Sequence, residues 1–374
     1  MKYLFKLGHQ PTISTAEIKA VFSKLKLKYE IISTDHAYLI LKTDERMDCK
    51  KLINILGGTI KIAKWVQNEE SSLIEIIIKY LEQKIPDGKI IFSITGNNAQ
   101  KKAITVKKTL KQKQRSVRYI KAKNSATVLY NKLIDTETDL TIHENEIYAT
   151  CAIQNFNSFN ERDYKRPAHD RVSGMLPPKL ARILINLSKA DTKDILLDPF
   201  CGSGTILMEA AAMGFKKIYG TDISQKAVDD TRRNLEWIME NENLKFEYSI
   251  KKIDAKKISE DFKANSIDTI VTEPFLGKAL SGNESEEFLK KQAKELGKLY
   301  INAFKNFNSI VKPGTVIIFI IPRYKLSNKW IRIELEDEIK KIGIKSIPFD
   351  EKNKYLLYHR PNQYLGREIW KFIV

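Results

Sequence analysis

The run Ile195-Leu196-Leu197, followed by Asp198-Pro199-Phe200-Cys201-Gly202-Ser203-Gly204-Thr205, constrains the fold of this chain more than any other stretch. The apolar triplet reads as a short buried strand, and Ile206 to Met213 reads as a helix stopped by Gly214. A strand, a tight glycine turn and a helix N-terminus open a βαβ unit in which a ligand can approach the backbone closely. Gly202 and Gly204 permit that approach, because they carry no side chain and adopt positive φ freely.

The same alternation runs on from Ser173. Helices are expected at Lys179–Ser188, Gln225–Glu240 and Glu286–Phe307, and strands at Ile218–Asp222, Ser249–Asp254, Ile267–Glu273 and Thr315–Pro322. Strands alternating with helices predict an α/β domain over residues 173–374, with a doubly wound, mostly parallel, Rossmann-like sheet. Tyr355–Tyr358 and Glu368–Val374 read as two further strands, antiparallel to the rest.

Acids close these strands. Asp222 ends the second, about 20 residues beyond the glycine turn, where a carboxylate can accept from two ribose hydroxyls. As alternatives, Asp222 can cap the following helix and Asp254 can serve a turn. Asp254, followed by Ala255, ends the third strand and can take a hydrogen bond from an adenine amino group. Glu273-Pro274-Phe275 ends the fourth, at the open edge where such sheets present their sites. Leu207 stands where a dinucleotide fingerprint needs its third glycine, and there is no Walker lysine. Asp198 at the strand tip instead suits a cationic group. S-adenosylmethionine, with an ammonium, a sulfonium and no pyrophosphate, therefore fits better than NAD.

The first half has a different character. Residues 1–65 alternate short strands (Tyr3–Phe5, Tyr29–Ser33, Ala37–Lys42) with a helix at Thr15–Phe22, and form a small α+β unit without a chemical constellation. Residues 66–150 form a second unit, with a helix at Ser72–Lys84 and a strand at Lys89–Thr95. Lys and Arg outnumber Asp and Glu by 64 to 46, a net charge of +18 that favours a polyanionic partner. Much of it is concentrated between Lys101 and Lys123, where Lys101, Lys102, Lys107, Lys108, Lys111, Lys113, Arg115, Arg118, Lys121 and Lys123 occur without one acid. A solvated helix face usually mixes signs, because acids at i,i+4 relieve repulsion. The run therefore predicts contact with nucleic-acid phosphates, on a helix with Ile104, Val106 and Leu110 as its apolar seam. Residues 151–172 read as an irregular linker whose aromatics (Phe156, Phe159, Tyr164) alternate with Arg162, Lys165, Arg166 and Arg171. That mixture suits stacking on unpaired bases beside phosphate contacts, and suits ordinary linker packing equally.

Three scattered cysteines (Cys49, Cys151, Cys201) argue against a disulfide framework or a zinc site and for a reducing cytoplasm. Cys201 reads as a small loop residue. No histidines pair at ligand spacing, so no metal is expected. No apolar run nears the ~20 residues of a membrane span, and no signal peptide is evident.

Taken together, Asp198–Thr205 (DPFCGSGT), Thr221-Asp222-Ile223-Ser224, Asp254-Ala255 and Thr272-Glu273-Pro274-Phe275-Leu276-Gly277 stand in the order of amino-group methyltransferases that use S-adenosylmethionine. Arg162-Asp163-Tyr164 through Met175-Leu176-Pro177-Pro178-Lys179-Leu180-Ala181 resembles the entry segment of THUMP-domain tRNA guanine-N2 methyltransferases that modify guanosine 10. Ser93–Leu133 resembles a THUMP domain, and the residues before it that family's ferredoxin-like domain.

The resemblance implies that Asp198, Gly202 and Gly204 hold the methionine end of the cofactor, Asp222 the ribose and Asp254 the adenine. Phe200, Thr205, Ile223 and Ala255 join the same site, and Pro177 lies in the segment that covers it. Glu273, Pro274 and Phe275 take the catalytic position, although the family pattern there is Asp or Asn, Pro, Pro, then Tyr or Phe. Phe275 reads either as the ring that stacks on the base or as a core residue. The expected function is methylation of guanine N2 in tRNA or another structured RNA. Adenine-N6 methylation of DNA or RNA, or RNA binding without turnover, are the alternatives. A small activator protein is left open as a further partner.

Overall fold

A computed structural model of the chain describes residues 1–66, 72–169 and 175–374, which divide into two units. The first comprises Met1–Pro11 and Leu25–Asn155, the second Thr12–Lys24 and Phe156–Val374.

The first unit begins with strand β1 (Lys2–Leu7), which leads into helix α1 (Pro11–Lys24), whose residues from Thr12 on belong to the second unit. It continues with β2 (Tyr29–Thr34), β3 (Tyr38–Thr43), α2 (Cys49–Ile55), β4 (Thr59–Trp65), α3 (Leu73–Lys84) and β5 (Ile90–Gly96). Helix α4 (Ala99–Gln112), β6 (Val117–Tyr119), α5 (Ser125–Tyr130), β7 (Asp139–His143) and β8 (Glu146–Ile153) complete it. Its strands form one eight-stranded sheet in the order β2-β3-β1-β4-β8-β7-β5-β6 among the described residues. The expected domains 1–65 and 66–150 thus share a sheet, because β4 pairs antiparallel with β8 from Lys61↔Ile153 to Trp65↔Tyr148. A buried ion pair pins that centre: Lys61 Nζ lies 2.9 Å from Asp139 Oδ2, and the Thr150 and Ser93 hydroxyls donate to the same carboxylate. Removing one partner of such a pair costs about 3–5 kcal/mol, because the other charge stays buried.

Helix α3 starts where Ser72 and Glu75 form a reciprocal capping box, and it buries Ile76, Ile77 and Leu81. Helix α4 packs Ala103, Val106 and Leu110 into the same core, while Ile104, expected in the seam, is 43% exposed. The 3.6-residue period explains the difference, since 103, 106 and 110 share a face that 104 does not.

In the second unit, α6 (Phe156–Asn160) and a π-helical turn (Glu161–Lys165) replace the irregular linker expected over 151–172. Phe159 is buried beneath the guanidinium groups of Arg162 and Arg182, at 5.0 and 4.7 Å, and this packing overrides the local bias of Asn and Ser against helix. Arg171 and the expected boundary at 172/173 lie outside the described residues.

Next come α7 (Pro178–Ser188), β9 (Ile195–Asp198), α8 (Thr205–Ala212), β10 (Lys217–Asp222), α9 (Gln225–Asn241), β11 (Glu247–Lys252), a 3-10 turn (Ala255–Glu260) and β12 (Ile267–Thr272). Helix α10 (Glu286–Ile310), β13 (Val311–Leu326), β14 (Lys329–Arg332), α11 (Glu336–Lys341), β15 (Lys345–Ser346), β16 (Leu356–Tyr358) and β17 (Leu365–Ile373) follow. The sheet runs β11-β10-β9-β12-β13-β17-β15, parallel from β11 to β13 and antiparallel at β17. Helices α1, α7, α8 and α9 contribute to the core on one face, and α10 and α11 to the core on the other. This is the Rossmann-like arrangement expected, with antiparallel strands at its C-terminal edge. The order of its strands reverses between the parallel neighbours β9 and β12, the switch point at which ligands bind beyond the strand ends.

Candidate active site

The ends of β9, β10 and β12 meet at that switch point, with the end of β11 further along the same edge. Asp198 closes β9 and is 2% exposed; its Oδ1 accepts from Thr272 Oγ1 at 2.6 Å and from the Phe200 backbone N–H at 3.1 Å. Burial, helped by the charges of Asp222 and Glu273, pushes its carboxyl up to about 7. Three acids gathered here leave an electrostatic place for a cation.

The glycine turn follows, with φ of +52° at Gly202 and +81° at Gly204. A Cβ on Gly204 would come within 2.9 Å of Thr231, whereas one on Gly202 would project into open space. The turn is held open from behind: Thr231 Oγ1 donates to Gly202 O at 2.7 Å, and Asn234 Nδ2 to Ser203 O at 2.8 Å. Cys201 is buried in this loop, as a small residue there should be. Asp222, at the end of β10, accepts from Gly202 N at 3.1 Å and Ser224 N at 2.9 Å, so its carboxylate is fixed beside the turn. Ile223 next to it is 65% exposed. Asp254 caps the 3-10 turn through Lys256 N at 3.0 Å and pairs with Lys256 Nζ at 3.2 Å, with Ala255 buried behind it. Phe200 packs half-buried against the α10-side core, and Pro177 stands as the N-cap of α7.

Glu273 begins the loop after β12. Arg367 Nε on β17 donates to its Oε1 at 2.6 Å, with both side chains 14% exposed. Two buried tyrosines hold the loop: Tyr300 Oη of α10 donates to Phe275 O at 2.6 Å, and Tyr324 Oη of β13 to Leu276 O at 2.8 Å. Burial pushes both phenols well above their usual range, which keeps them protonated donors. The Pro274 carbonyl accepts no hydrogen bond among the described residues. The Phe275 ring is 54% exposed, so of its two readings the core one fails. Arg367, Tyr300 and Tyr324 had no sequence signal, since single residues on distant elements leave no local pattern.

The cations expected to meet RNA divide. On α4, Lys101, Lys108 and Lys111 are exposed and Lys102 and Lys107 half-buried around a buried face, with Arg118 exposed on β6. Lys102 Nζ reaches Asn97 O at 3.3 Å, and Arg115 is bound to Ile85 O at 2.5 Å and to Pro86 O. Arg162 and Arg166 are not surface cations. Arg162 is 2% exposed and bridges Glu209 at 2.5 Å and Glu242 at 2.8 Å. Arg166 is 1% exposed, donates to Thr205 Oγ1 at 2.7 Å, forms no ion pair among the described residues and leaves its Nε–H without an acceptor. Lys165 pairs with Glu161 at 2.8 Å in solvent, and Tyr164 is 75% exposed. No metal-binding cluster and no helix long and apolar enough to cross a membrane occur among the described residues.

The two buried charges at the glycine turn that have no ion-pair partner among the described residues, the Asp198 acid and the Arg166 cation, fit the ammonium and carboxylate of an amino-acid group such as the methionine end of S-adenosylmethionine. Thr205 links Arg166 to the start of α8, whose free N–H groups also favour an anion.

A family model described as the RMKL-like methyltransferase domain matches residues 162–353, and one described as a DNA methylase matches residues 22–233. The tRNA (guanine(10)-N2)-dimethyltransferase of Methanothermobacter thermautotrophicus is 35% identical over 169 residues, 44% of this chain and 44% of that protein. That of Pyrococcus abyssi is 34% identical over 172 residues, 44% of this chain and 50% of that protein. The chain thus spans about half the length of the curated relatives it matches. Among solved structures, TrmN from Thermus thermophilus superposes with a TM-score of 0.53 at 12% identity, covering 100% of this chain and 99% of that one. A possible methylase from Clostridium difficile 630 gives 0.50 at 16% identity, covering 99% and 98%. Both show likeness of fold.

Proposed function

Because this chain belongs to the RMKL-like methyltransferase-domain family, we propose that it methylates guanine N2 in tRNA, using S-adenosylmethionine. The observation that carries the reading is the convergence of Asp198, Asp222 and Glu273 at one switch point, with a glycine turn between the first two. Bound there, S-adenosylmethionine supplies a methyl carbon on a positive sulfur, open to attack by an amine lone pair. Asp198 and Arg166 would hold its amino-acid end, and Asp222, with Ile223 beside it, the ribose.

The remaining chemistry belongs to the loop. A base amine is a weak nucleophile because its lone pair is delocalised into the ring. Glu273 Oε2 and the unengaged Pro274 carbonyl accept its two protons, localise that lone pair and aim it. The exposed Phe275 ring offers a stacking surface for a base taken out of its helix. The match to the DNA methylase model supports a second reading, methylation of a base amine in DNA. Transfer assays with tRNA and DNA substrates, with the product nucleoside identified, separate the two.

RNA docking falls to the first unit in this reading, through α4 and a cleft lined by Asn98, Gln100, Lys101, Tyr119 and Lys121. Replacing Lys107, Lys108 and Lys111 by Gln weakens tRNA binding and flattens its log–log salt slope by about 2 to 3, at 0.7–0.9 per lost phosphate contact. Titrations at several salt concentrations measure it; an unchanged slope would return these lysines to plain solvent exposure. The free cysteines suit work in the reducing cytoplasm.

A further inference from the structure

Glu273 carries its carboxylate one methylene further from the backbone than an aspartate would, and a longer side chain samples more rotamers unless something holds it. Arg367 holds it, through a single directed bond from Nε to Oε1 at 2.6 Å. Strand β17 presents Arg367 opposite Pro322 of β13 and Tyr358 of β16. The next residue, Glu368, is 1% exposed and engaged by Arg332 at 2.7 Å and Arg323 at 3.8 Å. Alternation along a strand sends consecutive side chains to opposite faces, so Glu368 does not compete for Arg367. Glu273 also lies within electrostatic reach of Asp198 at the end of β9 and of the Tyr300 phenol of α10. Arg367 is the cation paired with this acidic cluster among the described residues.

We propose that Arg367 is a positioning residue for methyl transfer: it anchors Glu273 by Oε1 and so leaves Oε2 to take the proton of the base amine. The inference rests on reading the chain as a base-amine methyltransferase. In that reaction the amine nitrogen gains one bond to carbon and loses one proton, the carbon–sulfur bond pair stays on sulfur, and the proton passes to Glu273. The guanidinium contributes direction, since its planar N–H groups bond carboxylates at fixed angles, which a lysine ammonium does not reproduce.

The test uses the full chain, its Arg367→Gln and Arg367→Lys variants, S-adenosylmethionine and an unmodified tRNA transcript. Cofactor binding by calorimetry and thermal melting accompany steady-state kinetics from pH 5 to 9. Arg367→Gln is expected to lower kcat about 10- to 100-fold, the usual loss when a supporting group is removed, with KM and cofactor Kd within about twofold. The loss falls on kcat and not on KM, because a carboxylate free to change rotamer still admits the base but no longer aims its acceptor oxygen. Arg367→Lys restores only part of kcat, with KM at the parent value. A purely architectural ion pair would instead lower the melting temperature and leave kcat of the folded variants at the parent value, which overturns the proposal. Should Arg367→Gln fail to fold, the Arg367→Lys kcat and KM decide by the same criteria. An inactive parent chain that still binds cofactor overturns the methyltransferase reading itself, and the inference with it.

Discussion

Asp198→Asn makes the cofactor-free protein more stable above neutral pH while it abolishes cofactor binding. The carboxyl is fully enclosed and ionises at about 7 in the folded chain, against 3.8 ordinarily. Below pH 3.8 both folded and unfolded chains hold the proton, and the group exerts no pH-dependent drag. Between about pH 4 and 7 the folded chain keeps a proton that the unfolded chain has lost, so stability falls as pH rises, by 1.36 kcal/mol per pH unit. Above pH 7 the full penalty is present, of order 4 kcal/mol for a shift of about three units. Asparagine keeps the shape and cannot ionise, which removes that slope. Urea unfolding of both proteins from pH 4 to 9 checks it, and parallel stability curves would refute it. The same substitution deletes the buried partner of the cofactor's ammonium, worth about 3–5 kcal/mol, so calorimetry should find affinity weaker by at least two orders of magnitude. Unchanged affinity would remove Asp198 from the cofactor site.

Glu273→Ala separates binding from chemistry in the opposite sense. Glu273 is held by Arg367 and not by the glycine turn, so cofactor affinity should stay within about twofold of the parent. Transfer should fall by about 10²- to 10⁴-fold, the span that a positioned proton acceptor contributes. Single-turnover transfer with saturating cofactor measures the loss. Retained transfer would assign the amine's protons to another acceptor.

What was legible in the chain was what lies close together in it. Asp198, Gly202, Gly204 and Asp222 fall within about 25 residues, and the strand-turn-helix order that unites them is a local pattern. Glu273 is marked in the sequence by its place at a strand end. Its partner Arg367 sits 94 residues later, on a strand that reaches it only by pairing antiparallel with β13, and one arginine in a strand announces nothing. Arg162 and Arg166 show the converse: a cation-rich segment reads as a phosphate-binding surface until Glu209, Glu242 and Thr205 fold around it. Burial is a tertiary property, and alternating charges with aromatics does not encode it. The single sheet of the first unit is illegible for the same reason, since β4 and β8 are about 80 residues apart and neither contains a pairing signal.

The most direct measurement incubates the purified chain with methyl-labelled S-adenosylmethionine and an unmodified tRNA transcript, digests the RNA and identifies the labelled nucleoside. The account predicts label in N2-methylated guanosine, lost in Glu273→Ala. Cofactor binding without label in any base of tRNA or DNA would contradict it.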